Sequence, residues 1–217
     1  MTIEAVIWDF GGVFCGSPFE AVGSVAQQRG FDPHRYFQIV FGSYDRDTDH
    51  PWHRLERGEI TLEVARHEIL ELGRREDIDA DPFHFFAAMA ESGSGATRED
   101  VVTFGKQLKD DGVLTALVTN NAAEFRDHWR NAIPLDELFH HVIDSSEVGL
   151  RKPDPKIFEL ALERLGTRAE STVFLDDFQG NLDAAARLGI RGILVESDYA
   201  PALESVRRLL DREASSA

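Results

Sequence analysis

Residues Ala5-Val6-Ile7-Trp8 form an unbroken apolar run that stops at once on a carboxylate and two glycines, within Asp9-Phe10-Gly11-Gly12. A strand with one wet face alternates apolar and polar side chains. A run with no polar member suits a strand buried on both faces, inside a parallel sheet. Such a strand delivers the residue that follows it to the crevice at the sheet's carboxyl edge, where open α/β sheets hold their ligands. Asp9 is that residue.

Four more apolar runs repeat the pattern. With residues 5–9, the expected core strands are 113–119, 141–144, 172–176 and 192–195. Helical periodicity follows or separates them at 99–109, 122–131, 155–165, 181–188 and 201–212, the signature of βα units around a parallel sheet. The helix from 155 is well marked: Asp154 can cap it, Pro155 suits its first position, and Gly166 ends it after the stripe Ile157, Leu160, Ala161, Leu165. Residues 17–95 read differently. They carry helical patterns at 20–29, 34–41, 61–72 and 82–91 and no strand, which predicts a helical insert over the carboxyl edge. The stretch Ser92-Gly93-Ser94-Gly95 is expected to hinge that insert to the core, and residues 213–217 are expected to fray.

With 217 residues, 42% of them hydrophobic, the chain is long enough to build a core without disulfides or a structural metal. Its net charge of −16 lacks the basic footprint that nucleic acid or an anionic membrane requires. The single cysteine, Cys15, excludes an intrachain disulfide and reads as a small packing residue. With no leader-like or membrane-spanning run, the expectation is a soluble, cytoplasmic protein.

Chemistry-bearing residues recur at the ends of the expected strands: Asp9, then Thr119-Asn120-Asn121, then Lys152 in Gly149-Leu-Arg-Lys-Pro-Asp-Pro155, then Asp176-Asp177. Alone, most have ordinary explanations as caps or solvated charges. The acidic pair is more telling, because two like charges side by side are costly unless a cation joins them. In this order the four resemble the motifs of the haloacid dehalogenase superfamily of phosphohydrolases, and the insert resembles the helical cap found between the first two motifs. Arg57-Gly58-Glu59-Ile60-Thr61 is similar to a segment common in bacterial sugar phosphatases and epoxide-hydrolase-domain relatives.

The resemblance implies a Rossmann-like α/β core from residues 1–16 and 96–217 with a cap domain at 17–95. It implies a Mg²⁺-dependent phosphatase acting on a small phosphorylated metabolite, with Asp9 as the nucleophile that becomes an aspartyl-phosphate. Mg²⁺ would be held by Asp9, the Gly11 carbonyl, Asp176 and Asp177. Thr119 and Asn120 would meet the phosphate, Lys152 would neutralise the charge on Asp9 and the phosphate, and Gly11 and Gly12 would bring backbone N–H groups close to it. Asn181 either orients the metal loop or caps its helix. Dehalogenases of the superfamily share the Asp nucleophile but use no metal, and the acidic pair favours phosphate chemistry over theirs.

Gly11 departs from the pattern. Most phosphatases of the superfamily have a second Asp there, which protonates the leaving oxygen. Three readings remain open: a substitute acid supplied by the cap or water, a leaving group that needs little protonation, or a phosphate-binding protein with weak turnover. His53 is the first cap histidine to consider as a substitute. Trp52, Arg54 and Arg57 are candidates for substrate contact, with a salt-bridged surface as the plainer reading. His140 and His141 face opposite ways on a strand and do not suit one metal ion.

Overall fold

The computed structural model describes residues 2–93 and 95–214. Ser94, in the expected hinge, and residues 215–217, in the expected frayed tail, lie outside the described residues.

Strand β1 (Ala5–Trp8) is buried along its whole length and occupies the middle of a five-stranded sheet. Strands β2 (Leu114–Thr119) and β3 (His141–Asp144) lie to one side of it, and β4 (Thr172–Asp176) and β5 (Arg191–Leu194) to the other. Every pairing is parallel. The register sets Trp8 beside both Leu117 and Leu175, and Thr119 beside Asp144, so the residues that end β1, β2 and β4 share one edge. The chain departs to opposite sides of β1, which makes that edge the topological switch point where a ligand crevice opens.

Alternate side chains of the strands feed two cores. Val6, Trp8, Leu117 and Leu175 pack with helix α6 (Glu99–Asp110) and the C-terminal helix α12 (Ala200–Ala214). Ile7, Ala116, Val118 and Phe174 pack on the other face with α10 (Pro155–Leu165) and α11 (Gln179–Arg187).

Five helices intervene between β1 and α6: α1 (Pro18–Gln28), α2 (Pro33–Phe41), α3 (Pro51–Glu56), α4 (Leu62–Arg75) and α5 (Pro82–Ser92). They share a third apolar cluster around Tyr36, Leu55, Ile69 and Phe85. Each start is encoded locally. Ser17, Asp32, His50 and Asp81 accept cap hydrogen bonds ahead of a proline at the helix start, and Thr61 caps α4.

The expected elements differ from the observed ones in specific places. Helix α3 is short and follows a histidine cap, so periodicity did not reveal it. The expected helix 122–131 is divided into a 3₁₀ turn (Ala123–Phe125) and α7 (Arg126–Arg130). Phe125 packs on the insert's cluster while Trp129 is buried in the core cluster beside Phe10, two directions that one helical face cannot serve. Short helices α8 (Leu135–Leu138) and α9 (Ser145–Val148) flank β3, and β5 begins one residue earlier than expected.

A buried ion pair ties the insert to the core. Arg151, fully buried, donates from Nε to Glu56 Oε2 at 2.6 Å, and the other Glu56 oxygen accepts from Tyr44 Oη (2.6 Å) and Trp52 Nε1 (2.8 Å). Removing one member of such a pair strands the other charge out of water. Arg151→Ala should therefore cost about 3–5 kcal/mol in urea denaturation, and a loss below about 1 kcal/mol would show that the pair does not hold the two layers together.

Candidate active site

Asp9 follows β1 and meets Lys152 and Asp176 at the shared edge. Lys152 Nζ lies 2.7 Å from Asp9 Oδ1 and 2.7 Å from Asp176 Oδ2, all three groups being essentially out of water. Asp9 Oδ1 also accepts the Phe10 N–H at 2.7 Å, while Oδ2 accepts no hydrogen bond among the described residues. One oxygen is thus tethered by two donors and the other is left open.

Asp9, Asp176 and Asp177 each bring a carboxylate oxygen within 4.8 Å of the others. Burial pushes the Asp9 carboxyl well above its usual range; Lys152 opposes this, while Asp176 and Asp177 reinforce it. Burial and then Asp176 raise Asp177 to about 7. Burial alone would lower the Lys152 ammonium, but Asp176 and Asp9 more than reverse that, so Lys152 stays charged. Three hard oxygen donors against one ammonium leave negative charge uncompensated. That donor set fits a small dication such as Mg²⁺.

Neighbouring residues hold these groups in place. Asn181 Nδ2 donates to both oxygens of Asp176 at 3.0 Å, and Phe178 N–H donates to Oδ1 at 2.8 Å, so Asn181 holds the acidic loop; it lies inside α11, whose start carries no side-chain cap. Ser17, the α1 cap, hydrogen-bonds Asp177 Oδ2. Asn120, expected at the phosphate, has both ends of its amide on the Lys152 main chain: Nδ2 donates to the carbonyl (2.9 Å) and Oδ1 accepts the N–H (2.8 Å). The Thr119 hydroxyl has no hydrogen-bond partner among the described residues and lines the adjoining cavity.

The two glycines do different things. Gly12 has φ +72° and a Cβ there would strike the Asp177 carboxylate, so it makes room for the acidic pair; its N–H points to the Gly16 carbonyl at 3.3 Å. Gly11 has no left-handed φ, and a Cβ on it would come 3.3 Å from Pro18 Cδ, a tight approach that a small shift relieves.

The insert candidates fall elsewhere. His53 is fully buried, its Nδ1 accepts the Thr48 N–H, and burial followed by Arg151 drives it down to about 2. A neutral imidazole with no access to the cavity cannot replace the missing acid. Arg54 pairs with Glu68, and Arg57 with Asp47 and Glu59. Trp52 does line the cavity. Cys15 is also on that wall, and burial raises its thiol to about 11, so it packs as a neutral group. His140 Nδ1 accepts the Thr115 N–H. Glu56, Arg151, Tyr44 and Ser17 were missed by sequence reasoning. Only Ser17-Pro18 gave a local signal, that of a helix start.

A sequence profile of haloacid dehalogenase-like hydrolases matches residues 3–189. This chain belongs to that family. It is 35% identical over 196 residues to mouse acyl-CoA dehydrogenase family member 10, covering 89% of this chain but 18% of that protein. It is 29% identical over 155 residues to the sesquiterpene phosphatase AstK of Aspergillus oryzae, covering 70% of this chain and 76% of that one. Its fold matches that of a HAD family enzyme from Bacteroides thetaiotaomicron, crystallised with magnesium and inorganic phosphate, at a TM-score of 0.61 and 20% identity over 92% of this chain and 98% of the other. No helix among the described residues of this hydrolase is long and apolar enough to cross a membrane.

Asp177 supplies a pH test. It holds its proton to about 7 when folded against 3.8 ordinarily, so the metal-free folded state binds the extra proton in that interval and loses stability as pH rises through it. His50 and His53, lowered to about 4 and about 2, act in the opposite sense below their ordinary 6.5. Above about pH 6.5 these histidines no longer contribute and the raised carboxylates Asp177 and Asp9 act in one sense, so the window is about pH 6.5 to 8 and the Asp177 variant separates its share. There the metal-free wild type should lose melting temperature, Asp177→Asn should lose less, and Mg²⁺ should reverse the loss only in the wild type.

Proposed function

We propose that this hydrolase is a Mg²⁺-assisted phosphatase that transfers the phosphoryl group of a small monoester to Asp9. The observation that carries the reading is the juxtaposition of Lys152 Nζ with Asp9 and Asp176 beside a third carboxylate, Asp177. Phosphoryl transfer is mainly positioning and charge neutralisation, and these residues are arranged for both.

Asp9 Oδ1 is fixed by Phe10 and Lys152, which leaves Oδ2 as the oxygen without a hydrogen bond among the described residues. In the first half of the reaction an Asp9 oxygen forms a bond to phosphorus as the ester P–O bond breaks, and the alcohol oxygen departs with the electron pair. In the second half water attacks the phosphorus, phosphate leaves and the Asp9 carboxylate returns. Bound Mg²⁺ supplies positive charge that offsets the carboxylates and the phosphate oxygens. Lys152 neutralises charge at the Asp9 oxygen, Thr119 donates its free hydroxyl to a phosphate oxygen, and Asn120 holds the Lys152 main chain.

Similarity to the sesquiterpene phosphatase AstK supports this reading, as does similarity to the Escherichia coli GMP/IMP nucleotidase YrfG, 34% identical over 128 residues. The competing reading, a phosphate binder with weak turnover, is favoured only by Gly11. Asp9→Asn should remove Mg²⁺-dependent hydrolysis of acetyl phosphate while leaving the melting temperature close to wild type. Undiminished turnover in that variant would exclude Asp9 as the acceptor.

Gly11→Asp tests the absent acid. The backbone there accepts a side chain once Pro18 gives way slightly. General acid–base help is worth about 10²–10⁴ in rate, and it matters most for poor leaving groups. The variant should raise turnover of an alkyl phosphate at least about tenfold and change acetyl phosphate turnover little. Equal effects on both would remove leaving-group protonation as the limiting step.

A further inference from the structure

A cavity of about 360 Å³ opens between the insert and the sheet edge, beginning at Gly11, Thr119 and Asn120. Its walls are hydrocarbon and aromatic: Phe19, Phe41, Phe86, Phe125 and Trp129 line it together with aliphatic side chains. This size falls among small-molecule sites, roughly 300–1,000 Å³.

Many of the polar groups on the walls are already committed; among the described residues the Thr119 hydroxyl, Trp129 Nε1 and the exposed His128 ring are not. Tyr44 Oη and Trp52 Nε1 both donate to Glu56, so these two residues turn ring surface to the space rather than hydrogen-bond donors. The second Glu56 oxygen is taken by Arg151. The Asn120 amide is held by Lys152, and Asn121 Oδ1 accepts the Ala122 N–H. Among the described residues no lysine or arginine lines the cavity; the charged wall residue is Glu56. A sugar or a nucleobase would lose hydration there and find few partners, and a second phosphate or a carboxylate would find no lysine or arginine. The cavity meets the proposed phosphate position at the glycine that leaves the leaving group without an acid.

We infer that this cavity is the leaving-group subsite, and that the substrate is the monophosphate of an uncharged, largely apolar alcohol or phenol. This rests on the phosphatase reading above and narrows it. The hydrocarbon portion fills the aromatic chamber while the phosphate reaches Asp9 past Thr119. A phenolic oxygen departs without strong protonation, so an aryl ester also suits the site's lack of an acid at Gly11.

The test compares Mg²⁺-dependent kcat/KM for 2-naphthyl phosphate, glucose 6-phosphate and acetyl phosphate, with calorimetric titration of 2-naphthol as a readout independent of turnover. The naphthyl ester should exceed glucose 6-phosphate by about a hundredfold or more, and 2-naphthol should bind while glucose does not. Met89→Glu, which places a charge on the half-buried insert side of the cavity, should lower the naphthyl-to-acetyl ratio and weaken 2-naphthol binding. Equal naphthyl and glucose esters alongside good acetyl phosphate turnover would overturn the subsite and leave the phosphatase reading standing. Absent turnover of all three would overturn the phosphatase reading, and with it the substrate. The 2-naphthol titration would then decide separately whether the chamber binds apolar alcohols. Failure of 2-naphthol to bind overturns the subsite in either case.

Discussion

One buried ammonium stands against three carboxylates at the carboxyl edge of this sheet, and much of the surrounding chain serves that imbalance. Lys152 bridges Asp9 and Asp176, yet burial and mutual repulsion still raise Asp9 and Asp177. Charges gathered this way oppose folding unless something offsets them. The compensation is distributed: Asn181 and Phe178 N–H hold Asp176, Ser17 holds Asp177, and Phe10 N–H holds Asp9. What remains uncompensated is a site that gains stability from a cation. The same imbalance that weakens the metal-free fold fits the proposed Mg²⁺ site, where a dication would offset the surplus of carboxylates.

The insert is coupled to this edge twice. Ser17 is both the cap of α1 and a partner of Asp177, so the first helix of the insert starts from a proposed metal ligand. Arg151, next in sequence to Lys152, reaches into the insert to Glu56, which in turn fixes Tyr44 and Trp52 on the cavity wall. Two consecutive residues thus serve two layers, one neutralising Asp9 and the other pinning the chamber that lies over it. Movement of the insert away from the core would have to separate this buried ion pair.

The strands and the four strand-end motifs were legible because each signal is local. An apolar run of four residues and a carboxylate need no knowledge of what lies across the sheet. Helix starts at Pro18, Pro33, Pro82 and Pro155 carry their own caps. The rest depends on contacts distant in sequence. Arg151 and Glu56 are ninety-five residues apart, and nothing near either residue distinguishes a buried pair from two solvated charges. Asn120 follows Thr119 in the sequence, but its amide also holds the Lys152 main chain, thirty-two residues away, a contact no local signal announces. His53 was the first cap histidine to consider as a substitute acid, whereas the fold buries it against Thr48 and Tyr44. Phe125 and Trp129 obey one helical spacing but pack in separate cores.

Gly11 gains a different meaning from this geometry. At the sequence level it is a missing acid, a defect in a phosphatase motif. In the fold it borders an apolar chamber on whose wall Tyr44 and Trp52 are paired with Glu56. A carboxylic acid at that junction would border the apolar chamber, where burial raises its pKa and penalises its ionised form. Glycine leaves the mouth uncharged and open, so the departing oxygen must carry its own charge or take a proton from water. On the proposed reading, a site built this way would select its substrate by the leaving group's bulk and acidity together: its largely apolar walls suit hydrocarbon, and the lack of an acid at Gly11 suits stabilised oxyanions.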